Sequence, residues 1–349
     1  MVPEVSQNQY GFGPRALVFV VTSGCTARCR DCCFGATPEK ARERLRCEEM
    51  LRALEVVYGM VPTLKLVVFT GGEPMLFARD IVPVVAEASR LGLGTRIVTN
   101  GFWAQTPALA RQVLEPLYAA GLLELNLSTG DDHLEWVPFE SVVNAALAAL
   151  EAGVLTAVFV EERADARFRA ADVFRHPLIR RFLRHHPNHH LLIVNGGAWL
   201  GLRTGRQFAA EVGSVPDGLG GPPLGCDSIG RDLVVAPGNR FFGCCGLTVR
   251  DIPWLQRHWR KPEELLDHWA CLNNEPLAFV LRQRGPEFLC DVLGIPLTDH
   301  EKVHPCVACR AALAPAHMDR ARERAAALAP SLALGAVLRA LGGAEGRTR

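Results

Sequence analysis

The chain has 349 residues, of which 49% are hydrophobic, and 38 basic side chains almost balance 37 acidic ones to give a formal net charge of +1. That balance removes the electrostatic reason to expect nucleic acid or an anionic membrane as a partner. The length suits one large domain with a smaller appendage. The first fifteen residues lack a basic-then-apolar export signal, and the apolar stretch at 325–341 is interrupted by Arg339 and too short to span a bilayer. A cytoplasmic protein without a membrane segment is therefore expected.

The elements follow in chain order. Apolar, β-branched runs at 16–22, 64–70, 95–100, 123–128, 155–160 and 190–195 alternate with helix-like stretches at 46–58, 78–91, 107–120 and 139–152. Near-continuous apolar strands suit a parallel sheet buried on both faces. The expected fold is α/β: a partial (β/α)6 barrel of parallel strands, followed by a C-terminal hairpin-plus-helices domain. Residues 198–225 are rich in glycine and proline and read as a linker or loop. Two short strands, 232–236 and 240–244, flank the turn signal Pro237-Gly238-Asn239. From residue 261 the pattern is helical, broken by Pro276, Pro296, Pro305, Pro315 and Pro330, and the last residues are expected to be disordered. The expected domains are 1–200, 201–320 and a C-terminal helix and tail at 321–349.

Chemistry in such sheets sits at the C-terminal ends of the strands. Those ends carry Thr22-Ser23-Gly24-Cys25, Thr70-Gly71-Gly72-Glu73-Pro74, Thr99-Asn100-Gly101, Ser128 to His133, and Asn195-Gly196-Gly197. The twelve cysteines stand at 25, 29, 32, 33, 47, 226, 244, 245, 271, 290, 306 and 309, an early and a late group. Without an export signal, close thiols read as metal ligands. Cys25, Cys29 and Cys32 on one loop can hold three irons of a [4Fe–4S] cluster and leave the fourth open. The competing reading is a zinc knuckle lacking a ligand, and zinc in a structural site wants four.

Cys-x3-Cys-x2-Cys after the first strand, with Gly71-Gly72-Glu73-Pro74 after the second, resembles the radical S-adenosylmethionine (radical SAM) superfamily. The resemblance implies a catalytic [4Fe–4S] cluster on Cys25, Cys29 and Cys32, with the amine and carboxylate of SAM on the open iron. It implies that the Gly71 to Pro74 segment holds the amino group of SAM, with Glu73 accepting from it, and that Asn100 and Ser128 meet ribose or carboxylate. The residue before the third cysteine is commonly aromatic in that family; here it is Asp31, and Phe34 is the candidate replacement against the adenine.

Cys226, the hairpin with Cys244 and Cys245 at its end, and Cys306-Val-Ala-Cys309 resemble the SPASM/twitch extension, which holds an auxiliary [4Fe–4S] cluster. The ligands implied are Cys226, Cys244, Cys306 and Cys309. Cys245 competes with Cys244, because adjacent strand residues face opposite ways, and Cys290 is in reserve. A four-thiolate zinc site is the alternative. Cys33, Cys47 and Cys271 read as buried small hydrophobes. His185, His186, His189 and His190 read as a solvated loop, and Asp131, Asp132 and His133 either face substrate or cap a helix.

The implied activity is that of an oxidoreductase: one-electron cleavage of SAM to methionine and a 5′-deoxyadenosyl radical, then hydrogen abstraction from substrate. A ribosomally made peptide is the favoured substrate. A small molecule such as a sugar is the alternative, and a non-catalytic iron–sulfur redox or sensor protein is a third, more distant reading. The implied partners are an electron donor such as flavodoxin or ferredoxin and a separate peptide-recognition protein.

Overall fold

The structure is a computed structural model that describes residues 13–162, 165–198, 225–246, 249–298, 301–302 and 304–342. The N-terminal segment, the glycine- and proline-rich stretch and the chain's last residues lie outside them. The chain folds as two compact units, one of residues 15–198 with Val234–Arg240, the other of residues 225–233 with 241–342.

The first unit is built on β1 (Ala16–Thr22), β2 (Leu66–Gly71), β3 (Gly94–Thr99), β4 (Glu124–Gly130), β5 (Leu155–Glu162) and β6 (Leu192–Ala198). They lie in the order β6-β5-β4-β3-β2-β1, every neighbouring pair parallel, as a partial barrel that does not close. All seven residues of β1 are buried, as a strand covered on both faces requires. Phe19 and Phe69 meet as tilted rings across β1 and β2 at 5.8 Å between centroids, and each such buried ring contributes about 1.5–3 kcal/mol.

The covering helices are α1 (Cys47–Met60), α2 (Ala78–Arg90), α3 (Pro107–Ala119), α4 (Asp131–Leu134), α5 (Phe139–Glu151), α6 (Ala170–Arg175) and α7 (Pro177–His185). α1 buries Met50, Ala53, Leu54 and Val57, and α2 buries Ile81, Val84, Val85 and Ala88. Both sets have the three-four spacing of one helix face. Pro107 and Pro177 open their helices, where no N–H is needed.

Further along, β7 (Asp232–Ala236) turns into β8 (Arg240–Phe242) through Gly238 and Asn239, both at positive φ (76° and 55°), the conformation of a tight primed hairpin turn. β9 (Gln256–His258), α8 (Glu264–Asn273), α9 (Pro276–Leu293), α10 (Pro305–Ala312) and α11 (Met318–Gly342) complete the second unit, in which α10 and α11 both pack on α9. The prolines act differently from expectation. Pro276 and Pro305 begin helices, and Pro330 lies inside α11 without ending it. A helix held by packing tolerates the lost hydrogen bond; Ala321, Ala325 and Ala329 of α11 are buried. Among the described residues no helix is long and apolar enough to cross a membrane.

Candidate active site and a second thiol group

The first site begins where β1 and β2 part. Their register shifts after Val20, so that Thr22 pairs with Gly71. Past the sheet the two loops remain joined: Gly72 N donates to Thr22 O and Glu73 N to Gly24 O, both at 2.8 Å. The approach is close enough that a Cβ on Gly72 would lie 1.9 Å from Gly24 O. One on Gly24 would lie 2.4 Å from the Cα of Ala41. Only glycine fits at either position, and Gly71 needs it also for its φ of +132°. On the other side Cys25 N donates to Thr37 O at 3.2 Å, and Ser23 N to Glu43 O at 2.9 Å. The cysteine loop is thus tied on both flanks by backbone hydrogen bonds.

Glu73 is wholly buried. Its Oε1 accepts from Thr99 Oγ1 at 2.7 Å and Met75 N at 3.0 Å, and its Oε2 from Asn100 N at 2.8 Å. Burial pushes its pKa up from 4.5 to about 7, against the pull of those three donors. The carboxylate therefore braces the end of β3. Thr99 Oγ1 in turn accepts from Trp103 Nε1 at 3.1 Å, and Asn100 Nδ2 donates to Thr26 Oγ1 at 3.1 Å and reaches Cys25 Sγ at 3.7 Å. Ala27 N donates to Cys25 Sγ at 3.4 Å.

Cys25, Cys29 and Cys32 line one cleft together with Gly71, Gly72, Asn100, Ser128 and His133. Phe34 lines it too, as does Cys33, which is part-exposed and not the buried hydrophobe expected; Cys47 is likewise part-exposed and Cys271 exposed. Pro74 is buried at the start of a short turn. Two of these thiols, Cys25 and Cys29, resist ionisation in the free protein. Burial, then Glu73 and Cys32, push Cys25 up to about 11, and burial, Cys32 and Glu161 push Cys29 higher still. Thiols that resist charge together in this way suit iron, whose positive charge reverses the balance and releases their protons.

Behind the cleft residue His133 stands a buried carboxylate, Glu161. His133 in α4 sets Nδ1 3.2 Å from Glu161 Oε2, and Glu161, 3% exposed, also accepts from Asp132 N. Glu161 has room because residue 130 is glycine: a Cβ there would lie 1.9 Å from Glu161 Cγ. Asp131 turns away and accepts from Arg167 N and Phe168 N. The sequence left His133 open between two roles and passed over Glu161, whose signal was an acidic residue ending an otherwise apolar strand. The four histidines follow expectation: His185, His189 and His190 are exposed, and His186 stacks on Phe182 at 4.3 Å.

In the second unit, Cys226 is placed by its N–H donating to Leu281 O of α9 at 2.9 Å. Cys244 and Cys306 flank Gly246, whose added Cβ would lie 3.3 Å and 3.2 Å from their sulfurs. Burial, then Cys309, raises the Cys244 thiol, and burial, then Cys226 and Cys306, raises Cys309. These four thiols share one environment. Cys245 points elsewhere, with Sγ 2.8 Å from Asp232 Oδ2, as alternation along the chain requires. Cys290 is buried in α9 and donates to Ala308 O at 3.5 Å. Among the described residues no three His, Cys, Asp or Glu side chains are grouped so as to hold a single metal ion.

The chain is similar to known proteins in sequence and in fold. Residues 19–160 match the Radical SAM superfamily. A segment of 125 residues is 23% identical to YydG of Bacillus subtilis (strain 168), provisionally named a peptide biosynthesis protein; it covers 35% of this chain and 38% of that relative. The fold is similar to that of native anSMEcpe with bound AdoMet and Cp18Cys peptide (TM-score 0.52, 13% identity, 95% of this chain and 99% of that one). The same protein with Kp18Cys peptide gives a TM-score of 0.51 at 14% identity, over 76% and 84% of the two chains.

Proposed function

We propose, from the match of residues 19–160 to the Radical SAM superfamily, that this chain is an enzyme that uses a [4Fe–4S] cluster and SAM to modify a peptide. One observation carries the reading: Cys25, Cys29 and Cys32 converge on a cleft that also exposes Gly71, Gly72, Asn100 and Ser128. Bound there, cluster and cofactor supply one-electron cleavage of SAM and abstraction of hydrogen from a substrate C–H. Each residue has a definable task. The three thiolates hold iron, and Asn100 Nδ2 and Ala27 N–H stabilise charge on Cys25. The bare backbone of Gly71 and Gly72 lets the cofactor's amine approach. Glu73 acts one step back, as the acceptor that fixes Thr99 and Asn100 in place. His133 is held by Glu161 with its ring at the cleft, and Phe34 offers a face for the adenine.

Cys226, Cys244, Cys306 and Cys309 hold a second [4Fe–4S] cluster in this reading. The shared surroundings of these thiols support it: Cys244 and Cys309 are buried, and Gly246 lies between the sulfurs of Cys244 and Cys306. The peptide substrate is supported by the name of YydG and by the peptides bound to anSMEcpe. An electron donor such as flavodoxin or ferredoxin and a separate peptide-recognition protein fit the same scheme. The test is anaerobic reconstitution followed by SAM and dithionite. About eight irons per chain and release of 5′-deoxyadenosine are expected; a fully iron-loaded protein that releases none would overturn the proposal.

A further inference from the structure

The face of the sheet that carries the cleft can be traced beyond it. Ser128 of β4 lines the cleft, so Asn126 and Glu124, two and four residues earlier, point to the same side. The parallel register sets Asn126 beside Ala157 and Ser128 beside Phe159 on β5, and then Ala157 beside Ile193 and Phe159 beside Asn195 on β6. This face is unusual at its far end. Phe159 is 43% and Ile193 40% exposed, while Val158 and Val160, pointing the other way, are buried. Asn126 is only 7% exposed, and its Oδ1 has no hydrogen-bond partner. On the same face Arg96 pairs with Glu124 at 2.8 Å, and Glu161 Oε2 lies 3.2 Å from His133 Nδ1.

We infer that Phe159, Ile193 and Asn126 seat the substrate residue that reacts. An uncharged, apolar side chain of a peptide lies on Phe159 and Ile193, and a neutral N–H of the peptide donates to Asn126 Oδ1. Three observations select this occupant. Two large apolar side chains face outward next to the cleft and gain by being covered. A buried acceptor without a donor calls for one from a ligand. A charged substrate side chain laid on Phe159 and Ile193 would lose its water against two apolar surfaces without compensation. The inference rests on the radical SAM reading, because continuity with the thiol cleft is what makes this face a reaction site.

The test uses the full chain, reconstituted with iron and sulfide and saturated with SAM. N-acetyl-leucine methylamide and N-acetyl-phenylalanine methylamide are the apolar probes, and the corresponding lysine and glutamate amides the charged ones; binding is followed by saturation-transfer NMR. The apolar probes should bind about tenfold or more tightly than the charged ones. Phe159→Ser and Ile193→Ser should each lose about fivefold or more of that affinity, and Asn126→Leu should also weaken it. Iron content and SAM affinity, measured by dialysis, should stay at the wild-type level in the two serine variants, which shows that they fold. Equal binding of charged and apolar probes, no binding of any probe to SAM-loaded protein, or serine variants that bind like wild type would each overturn the inference. Failure of the wild type to take up iron and SAM would instead strike the functional proposal beneath it.

Discussion

The two thiol groups of this chain are built on opposite plans. Cys25, Cys29 and Cys32 come from one loop, pinned on both sides by backbone hydrogen bonds to the Gly72 and Thr37 segments. Cys226, Cys244, Cys306 and Cys309 come from three separate stretches: one anchored on α9, one following β8, and one in α10. The first group is placed by local chain geometry, through backbone hydrogen bonds within a few residues of the thiols. The second gathers distant segments, so a metal bound there closes a long loop and becomes part of the folding free energy. Metal should therefore matter to activity at the first group and to stability at the second.

The largest effect expected separates the two at once. Replacing Cys25, Cys29 and Cys32 together with alanine should abolish release of 5′-deoxyadenosine and halve the iron, from about eight to about four, while the thermal unfolding of the second unit stays where it was. A variant that keeps all its iron would remove the first cluster from the scheme. Next comes Cys306→Ala with Cys309→Ala. It too should halve the iron, but the second unit should then unfold at distinctly lower denaturant, with slow SAM cleavage surviving. Unchanged unfolding of residues 225–342 by hydrogen exchange would show that the late thiols do not act as a clamp.

A smaller effect sharpens the account of the first group. Glu73 titrates near 4.5 when unfolded and near 7 when folded. Between those values the folded chain binds the extra proton, so metal-free protein should lose stability as pH rises from about 4.5 to about 7. Glu73→Gln should flatten that slope; denaturant midpoints at pH 5 and pH 7.5 decide it, and parallel curves for the two proteins would refute it. The smallest effect is a contrast within one dipeptide. Cys244→Ala should lose the second cluster, whereas Cys245→Ala, which removes contacts to Asp232 and Ser228, should leave iron and stability nearly unaltered.

Much of the first unit was legible in the sequence because its signals are local. The strand at 16–22 was found to the residue, and α3 and α5 to within one at their ends, since apolar runs and three-four spacing are written in contiguous residues. Cys25, Cys29, Cys32, Gly71, Gly72, Phe34, Asn100 and Ser128 do meet in one cleft. What could not be read was direction. The partners of Glu73 within the protein, Thr99, Met75 and Asn100, were not legible, because two of them come from a strand end elsewhere in the chain. Glu161 was missed for the same reason: its meaning lies in His133 and in the space above Gly130. The choice between Cys244 and Cys245 was undecidable without knowing which side of the chain faces α10.

The contact between Gly24 and Gly72 bears on whether this site could be moved to another protein. The two residues belong to different motifs, yet a single methyl group on the second would sit inside the carbonyl of the first. The cysteine loop and the glycine loop are therefore one part with two chain segments. A graft that carried only Cys25 to Cys32 onto a foreign sheet would bring the thiols without the surface that shapes their loop. A successful transplant has to take both strand ends together, along with the missing side chains that let them touch.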